Sequence, residues 1–158
     1  MSDNHIGKTL YAAAALPATN DATGFEALTW VKVNGLIAAP TLGVTHDGID
    51  VPDLQTGFTS AVKGAASGND ATMEFRSVAS DTGQGNLRTA ANSQAGTLSI
   101  KIVDGSGVNN APVSGDQVEY AQGYAHSFTP NDINNSSFRG FTVGFRQNNY
   151  TVVATEPA

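Results

Sequence analysis

There is no cysteine anywhere in the 158 residues. That removes any disulfide framework and any thiolate metal site, and a small secreted scaffold would ordinarily carry such staples. Charge is also scarce. Asp, Glu, Lys and Arg together make up 14% of the chain, well below the usual quarter or so. Basic residues are scarcest, 8 against 14 acidic ones, for a formal net charge of −6. A protein that grips nucleic acid needs a basic stripe to neutralise phosphates, so this balance excludes gripping, though not a surface that nucleic acid slides past. No apolar run approaches the roughly 20 residues a membrane-spanning helix needs. The run Leu10 to Leu16 is at the short limit for a signal peptide, and its flank sets a single Lys8 against Asp3, so it is not read as one.

Catalytic constellations are missing as well. The three histidines, His5, His46 and His126, sit in unrelated contexts and lack the i, i+4 pairing of a helical metal site. Asp47, Asp50 and Asp53 recur every third residue, but a calcium loop needs ligands at every second position and a closing Glu, and Val51-Pro52 breaks the pattern. Gly83-Gln84-Gly85 and Gly105-Ser106-Gly107 lack the Gly-Lys-Ser/Thr that follows in a phosphate cradle. No serine sits in a Gly-x-Ser-x-Gly elbow, and no pair of carboxylates is set apart for acid–base work. The expectation is a protein that is not an enzyme and holds no cofactor or metal.

What is present is a β-forming chain with a neutral polar surface. Apolar residues make up 40%, and Ser, Thr, Asn, Gln and Gly supply most of the polarity. Such a surface is cheaper to desolvate than one rich in Lys and Glu, as suits a chain that buries its exterior against neighbours. Residues 1–24 read as a loose arm with one short strand, Thr9 to Ala14, and a loop at 17–24. Trp30 to Ala38 alternates as a strand with a turn or bulge at Asn34-Gly35, and Thr41 to Val51 continues the β character with a turn signal at Asp47-Gly48. Residues 52–70 show no lasting period and read as a long flexible excursion that orders against a partner. Ala71 to Ser80 is a half-exposed strand with Met73 and Phe75 on one side. Residues 81–94 are the one helix candidate, capped by Asp81 or Thr82, with Leu87, Ala90 and Ala91 as its apolar stripe. Gly96 to Asp104 places Leu98, Ile100 and Ile102 on one face and Ser99 and Lys101 on the other. Residues 117–128 alternate Val118, Tyr120 and Tyr124, with a bend or bulge at Gly123. Two final β stretches follow, with Phe138, Phe141, Val143 and Phe145 in the core and Arg139 and Arg146 exposed. About seven strands and one helix predict a mainly β single domain spanning 1–158, an antiparallel β-sandwich or barrel with one short α-helix packed on its side, a long mid-chain loop and a short tail at 156–158.

This order of elements is diffuse but consistent: a loose arm, the Trp30-Val-Lys-Val-Asn-Gly-Leu36 strand, a Gly- and Ser-rich excursion, a polar helix, the strand 96–104 and an aromatic-rich β hairpin. Over about residues 6–155 it resembles the major tail tube proteins of long-tailed, siphovirus-type bacteriophages and the related gene transfer agents. The resemblance implies hexameric rings that stack into a hollow tube conducting DNA from capsid to host, with the protein located in the virion tail after assembly in the host cytoplasm. It also implies copies of the chain itself, a tape measure protein and tail terminator or distal tail proteins as partners, with DNA passing unbound and no membrane involved. Within that picture the excursion, with Asp53, Leu54, Phe58, Val62 and Lys63, contacts a neighbouring subunit, and Glu74, Asp116 and Glu119 are candidates to face the lumen. The competing expectation is a β-sandwich decoration or carbohydrate-binding module, for which Tyr120, Tyr124 and Tyr150 are the aromatic candidates.

Overall fold

The computed structural model describes residues 5–157. In chain order its elements are β1 (Lys8–Ala13), α1 (Ala22–Glu26), β2 (Val31–Val33), β3 (Leu36–Ala38), β4 (Val44–Val51), β5 (Ser60–Gly68), β6 (Asp70–Arg76), α2 (Thr82–Asn92), β7 (Thr97–Asp104), β8 (Gln117–Pro130), β9 (Gly140–Gln147) and β10 (Val152–Thr155). The fold is mainly β, and every strand pairing is antiparallel. Eight strands form one sheet in the order β2-β1-β7-β8-β9-β6-β3, with β10 also paired to β8, while β4 and β5 form a separate two-stranded sheet.

The large sheet is apolar on one face along its whole length. Leu10 and Ala12 of β1, Leu98, Ile100 and Ile102 of β7, Ala121 and Ala125 of β8, Phe141, Val143 and Phe145 of β9, and Met73 and Phe75 of β6 form one buried cluster. Helix α2 closes this face with Leu87 and Ala90. Asp81 caps it, accepting from the Gln84 amide at 3.0 Å. The buried Gln84 side chain donates to the carbonyls of Asn34 and Arg76 and accepts from the Val78 amide, tying the helix to the β2–β3 turn and the end of β6. The opposite face is covered over β1, β7, β8 and β10, where Phe25, Leu28 and Trp30 pack with Tyr11, Val103, Val118 and Tyr120.

Several sequence expectations change. Residues 8–13 are not a loose arm: β1 lies between β2 and β7 and buries Leu10, Ala12 and Ala13. Residues 1–4 and 158 lie outside the described residues. The expected loop at 17–24 runs into α1, whose N-cap Asp21 accepts from the Gly24 amide. Strand β7 is buried on both faces, so Ser99 and Lys101 point into the structure rather than to solvent. Phe138 precedes β9 and is exposed. Gly123 sits in regular pairing, and the register shift in β8 falls between His126 and Thr129. The C-terminal segment is held: Glu156 donates its amide to the Asp116 carbonyl, and its carboxylate pairs with Lys101 Nζ at 2.9 Å.

Candidate functional site

The stretch 52–70 is not a structureless excursion. Its second half is β5, and it pairs back on β4 to make a hairpin with Ile49 opposite Val62 and Val51 opposite Ser60. Alternation puts Ile49, Val51 and Val62 on one side of this ribbon and Asp50 and Lys63 on the other. Among the described residues no layer covers the apolar side: Ile49 is 54% and Val62 51% exposed. At the tip Leu54 is 100% and Phe58 72% exposed.

The tip is nevertheless ordered. The Asp53 carboxylate accepts from the amides of Gln55 (2.8 Å) and Thr56 (3.3 Å), and the Gly57 amide returns to the Asp53 carbonyl at 2.9 Å. Gly57 has φ +69, a left-handed conformation that glycine adopts without steric cost. The backbone amides of Gln55 and Thr56 hold the Asp53 carboxyl below the usual range, so it stays ionised.

One buried residue fixes the root of the hairpin. Gln147 accepts from the Gly43 amide (3.0 Å), donates to the Asn149 carbonyl and Thr151 Oγ1 (2.7 Å each), and its own amide donates to Asn69. A little farther out, His46 Nε2 and the Tyr150 hydroxyl lie 2.8 Å apart with their rings stacked.

Beside this root, the second face of β6, β9 and β8 is polar. Asp70, Thr72 and Glu74 pair in register with Arg146, Gly144 and Thr142, and Tyr124 and His126 continue the row. Gly144 makes room there: a Cβ would fall 2.3 Å from the His126 ring. The imidazole therefore crosses β9, reaching Asp70 Oδ1 at 2.7 Å while its other nitrogen meets Ser127 Oγ at 2.8 Å. Helix α2 packs on the opposite, apolar face.

The three acidic candidates are not brought together. Glu74 lies on this polar face. Asp116 ties a loop, accepting from the Ser106 amide and hydroxyl and the Val113 amide, which hold its carboxyl below the usual range. Glu119 lies on the other face of β8, opposite Ile102, and lines a groove of about 730 Å³ with Lys8 and Leu36. Asp53, Leu54, Phe58, Val62 and Lys63 do share one element, the hairpin. Among the aromatic candidates Tyr120 is buried, Tyr124 half-buried and Tyr150 exposed at the hairpin root. Sequence reading missed Ile49 and Val51 as part of the projecting surface and Gln147 as its anchor. The Ile49-x-Val51 alternation was a usable signal, whereas nothing local marks Gln147. Among the described residues no group of His, Cys, Asp or Glu is placed to hold a metal ion.

No protein-family model matches the chain, and no curated protein matches it in sequence. Solved structures do match in fold. The chain is similar to a chain of the anti-feeding prophage cap, described as its tube terminating cap, with a TM-score of 0.64 and 12% identity over 99% of this chain and 93% of that one. It is similar to a chain of the sheath/tube terminator of an extracellular contractile injection system in the extended state, TM-score 0.62 and 10% identity over 99% and 97%. A chain of that system's sheath-tube complex matches with TM-score 0.57 and 9% identity over 94% and 88%. At these identities the likeness is one of fold: this chain shares the fold of those cap, terminator and sheath-tube-complex chains.

Proposed function

We propose that this chain is a structural subunit of a phage-type tail tube, of the long-tailed kind that its sequence resembles. Copies close into rings, six to a ring, the rings stack, and DNA passes through the hollow they enclose. The observation that carries this reading is the projecting hairpin β4–β5. An isolated two-stranded ribbon is marginal in water, and among the described residues this one leaves Ile49, Val51 and Val62 without a covering layer. A neighbouring subunit supplies that layer. Ring closure also covers sheet edges that would otherwise invite wrong pairing. Glu74, on the polar face of β6, β9 and β8, is the acidic candidate retained for the wall of the hollow. With no basic stripe, such a wall lets DNA slide without sticking.

Negative-stain electron microscopy of the purified protein tests the reading. Rings or tubes are expected, and a monodisperse monomer at all concentrations would favour a binding module instead. Replacing residues 46–66 with a short Gly-Ser linker should leave a folded monomer that forms no tubes. Normal tubes from that variant would remove the hairpin from the assembly.

A second reading is favoured by the likeness to a tube terminating cap and a sheath/tube terminator. In it the chain forms the ring that ends a tube. The same images separate the two: a repeating subunit stacks without limit, whereas a terminating ring stops at one layer.

A further inference from the structure

Asn34-Gly35 is the one place in the chain where Asn precedes Gly. The pair forms the turn between β2 and β3, and Asn34 is exposed. Glycine is obligatory at 35. Its φ is +80, and a Cβ there would fall 2.3 Å from the Arg76 carbonyl oxygen and 2.9 Å from Gln84 Nε2. Asn-Gly is also the asparagine pair most open to intramolecular attack. With no side chain at the second residue, nothing shields its amide nitrogen from the asparagine side-chain carbon. The fold therefore demands a reactive dipeptide at this turn.

Its neighbours hold both reacting groups in place. The Asn34 side-chain amide donates to Asp81 Oδ1 at 2.6 Å, and the Asn34 backbone amide donates to Asp81 Oδ2 at 3.3 Å. The Asn34 carbonyl accepts from Gln84 Nε2 at 2.7 Å, and the Gly35 carbonyl accepts from the Arg76 amide at 2.7 Å. Asp81 thus fixes the carboxamide that would be attacked, and Gln84 fixes the peptide plane that carries the attacking nitrogen. Cyclisation needs the side-chain carbon brought onto that nitrogen in a near-attack geometry, so the Asp81 contact must break first. Asp81 is at the same time the N-cap of α2. Freeing the Asn34 side chain and loosening the helix end are then one local opening.

We propose that Asn34 is a site of spontaneous deamidation, latched by Asp81 in the folded chain. When the latch opens, the Gly35 nitrogen gives its proton to solvent base and bonds to the Asn34 side-chain carbon. The side-chain nitrogen leaves as ammonia, and a cyclic imide remains. Water opens the imide at either carbonyl to give aspartate or isoaspartate. The balance is one water consumed and one ammonia released, with no change of oxidation state. The product does not relatch at neutral pH. A donor has been replaced by a carboxylate facing the Asp81 carboxylate, and like charges at that distance repel. Isoaspartate also lengthens the main chain in a turn already tight against Arg76 and Gln84. Deamidation therefore releases the start of α2 from the β2–β3 turn.

Peptide mapping by mass spectrometry of the full chain, incubated warm at mildly alkaline pH, tests it. In urea the product should appear at residue 34 ahead of every other asparagine. In the native chain it should form roughly tenfold or more slowly than in urea. Asp81→Ser keeps a capping hydroxyl for α2 and removes the carboxylate that holds the Asn34 side chain. That variant, verified as folded by circular dichroism, should react roughly tenfold faster than the folded wild type. Equal rates in the two folded chains overturn the latch. A native rate equal to the rate in urea overturns it too, and that comparison decides the matter should Asp81→Ser fail to fold. Earlier product at another asparagine in urea overturns the site. Asn34→Asp supplies one end product directly. Its folding constant at neutral pH should be roughly tenfold or more below wild type, and the deficit should shrink as pH falls into the range where carboxylates protonate. Wild-type stability of Asn34→Asp at neutral pH overturns the release of α2.

Discussion

Tyr120 is fully buried between Phe25, whose ring stacks on it at 5.0 Å, and Trp30 at 5.8 Å, and its hydroxyl has no hydrogen-bond partner among the described residues. Burial, then the nearby carboxylates of Glu156 and Glu26, push its pKa up to about 12. The unfolded chain loses this proton near its ordinary value of 10.0, so the folded state holds the proton more tightly. Its contribution to stability is complete below about pH 10 and is lost as pH rises through about 12, an effect of roughly 2 kcal/mol. Tyr120→Phe should flatten that alkaline limb and, by deleting an unpaired buried hydroxyl, leave stability at neutral pH unchanged or raised by about 1 kcal/mol. Urea denaturation from pH 8 to 12 measures both, and an unchanged alkaline slope in the variant contradicts the assignment. Gln147 behaves oppositely. Gln147→Ala strands the Gly43 amide, the Asn149 carbonyl and the Thr151 hydroxyl at once, and should cost about 2 kcal/mol or more. Limited proteolysis should then show faster cleavage near residues 41–44 than in the wild type.

The hairpin is the element on which stability and function separate. Ile49→Ser/Val62→Ser alters two exposed side chains, so the melting free energy of the monomer should shift by no more than about 0.5 kcal/mol. Assembly should weaken markedly, because the same two side chains form the apolar side that a neighbour covers. Thermal melting set beside electron microscopy checks this, and a large loss of monomer stability would mean that the hairpin belongs to the body of the chain. This element was also the least legible in the sequence. β5 reads SAVKGAASG, with Val62 its one large apolar residue, because a ribbon that packs on no core carries no period imposed by burial. β1 was legible as a strand but not as part of the sheet, for a related reason: Ala12 and Ala13 are small and look noncommittal, yet they fill space against β7. Where burial is one-sided the pattern was plain, as in β6 with Met73 and Phe75 or in α2 with its Asp81 cap. Where both faces are covered, as in β7, alternation was read too literally. Ser99 donates to the Ala15 carbonyl at 2.6 Å, and Lys101 finds Glu156 across 55 residues of sequence, partners that no local pattern reveals. The same limit applies to the acidic candidates: strand parity alone did not show that Glu74 and Glu119 would occupy opposite faces of one sheet.

At the scale of the whole molecule, the apolar clusters contain no residue of β4 or β5. The body therefore keeps its core whether or not the hairpin is engaged, while the hairpin is tied to it through the root at Gln147, His46 and Tyr150. Regions with few buried apolar contacts open at lower free energy than the core strands. In the unassembled chain the amides of β5 should thus exchange with solvent through local opening, well ahead of those of β7, which is paired on both sides and buried on both faces. If a neighbour covers the hairpin, assembly must add the free energy of that contact to its opening, and exchange in β4 and β5 should slow by roughly a hundredfold or more. Exchange in β7, already limited by global unfolding, should change far less. Hydrogen exchange followed by mass spectrometry on monomer and assembled forms gives the comparison directly. Protection of β5 equal to that of β7 in the monomer would make the hairpin an integral part of the body. Unchanged exchange on assembly would place it on the outside of whatever the chain builds, where Ile49, Val51 and Val62 have no neighbour to bury them.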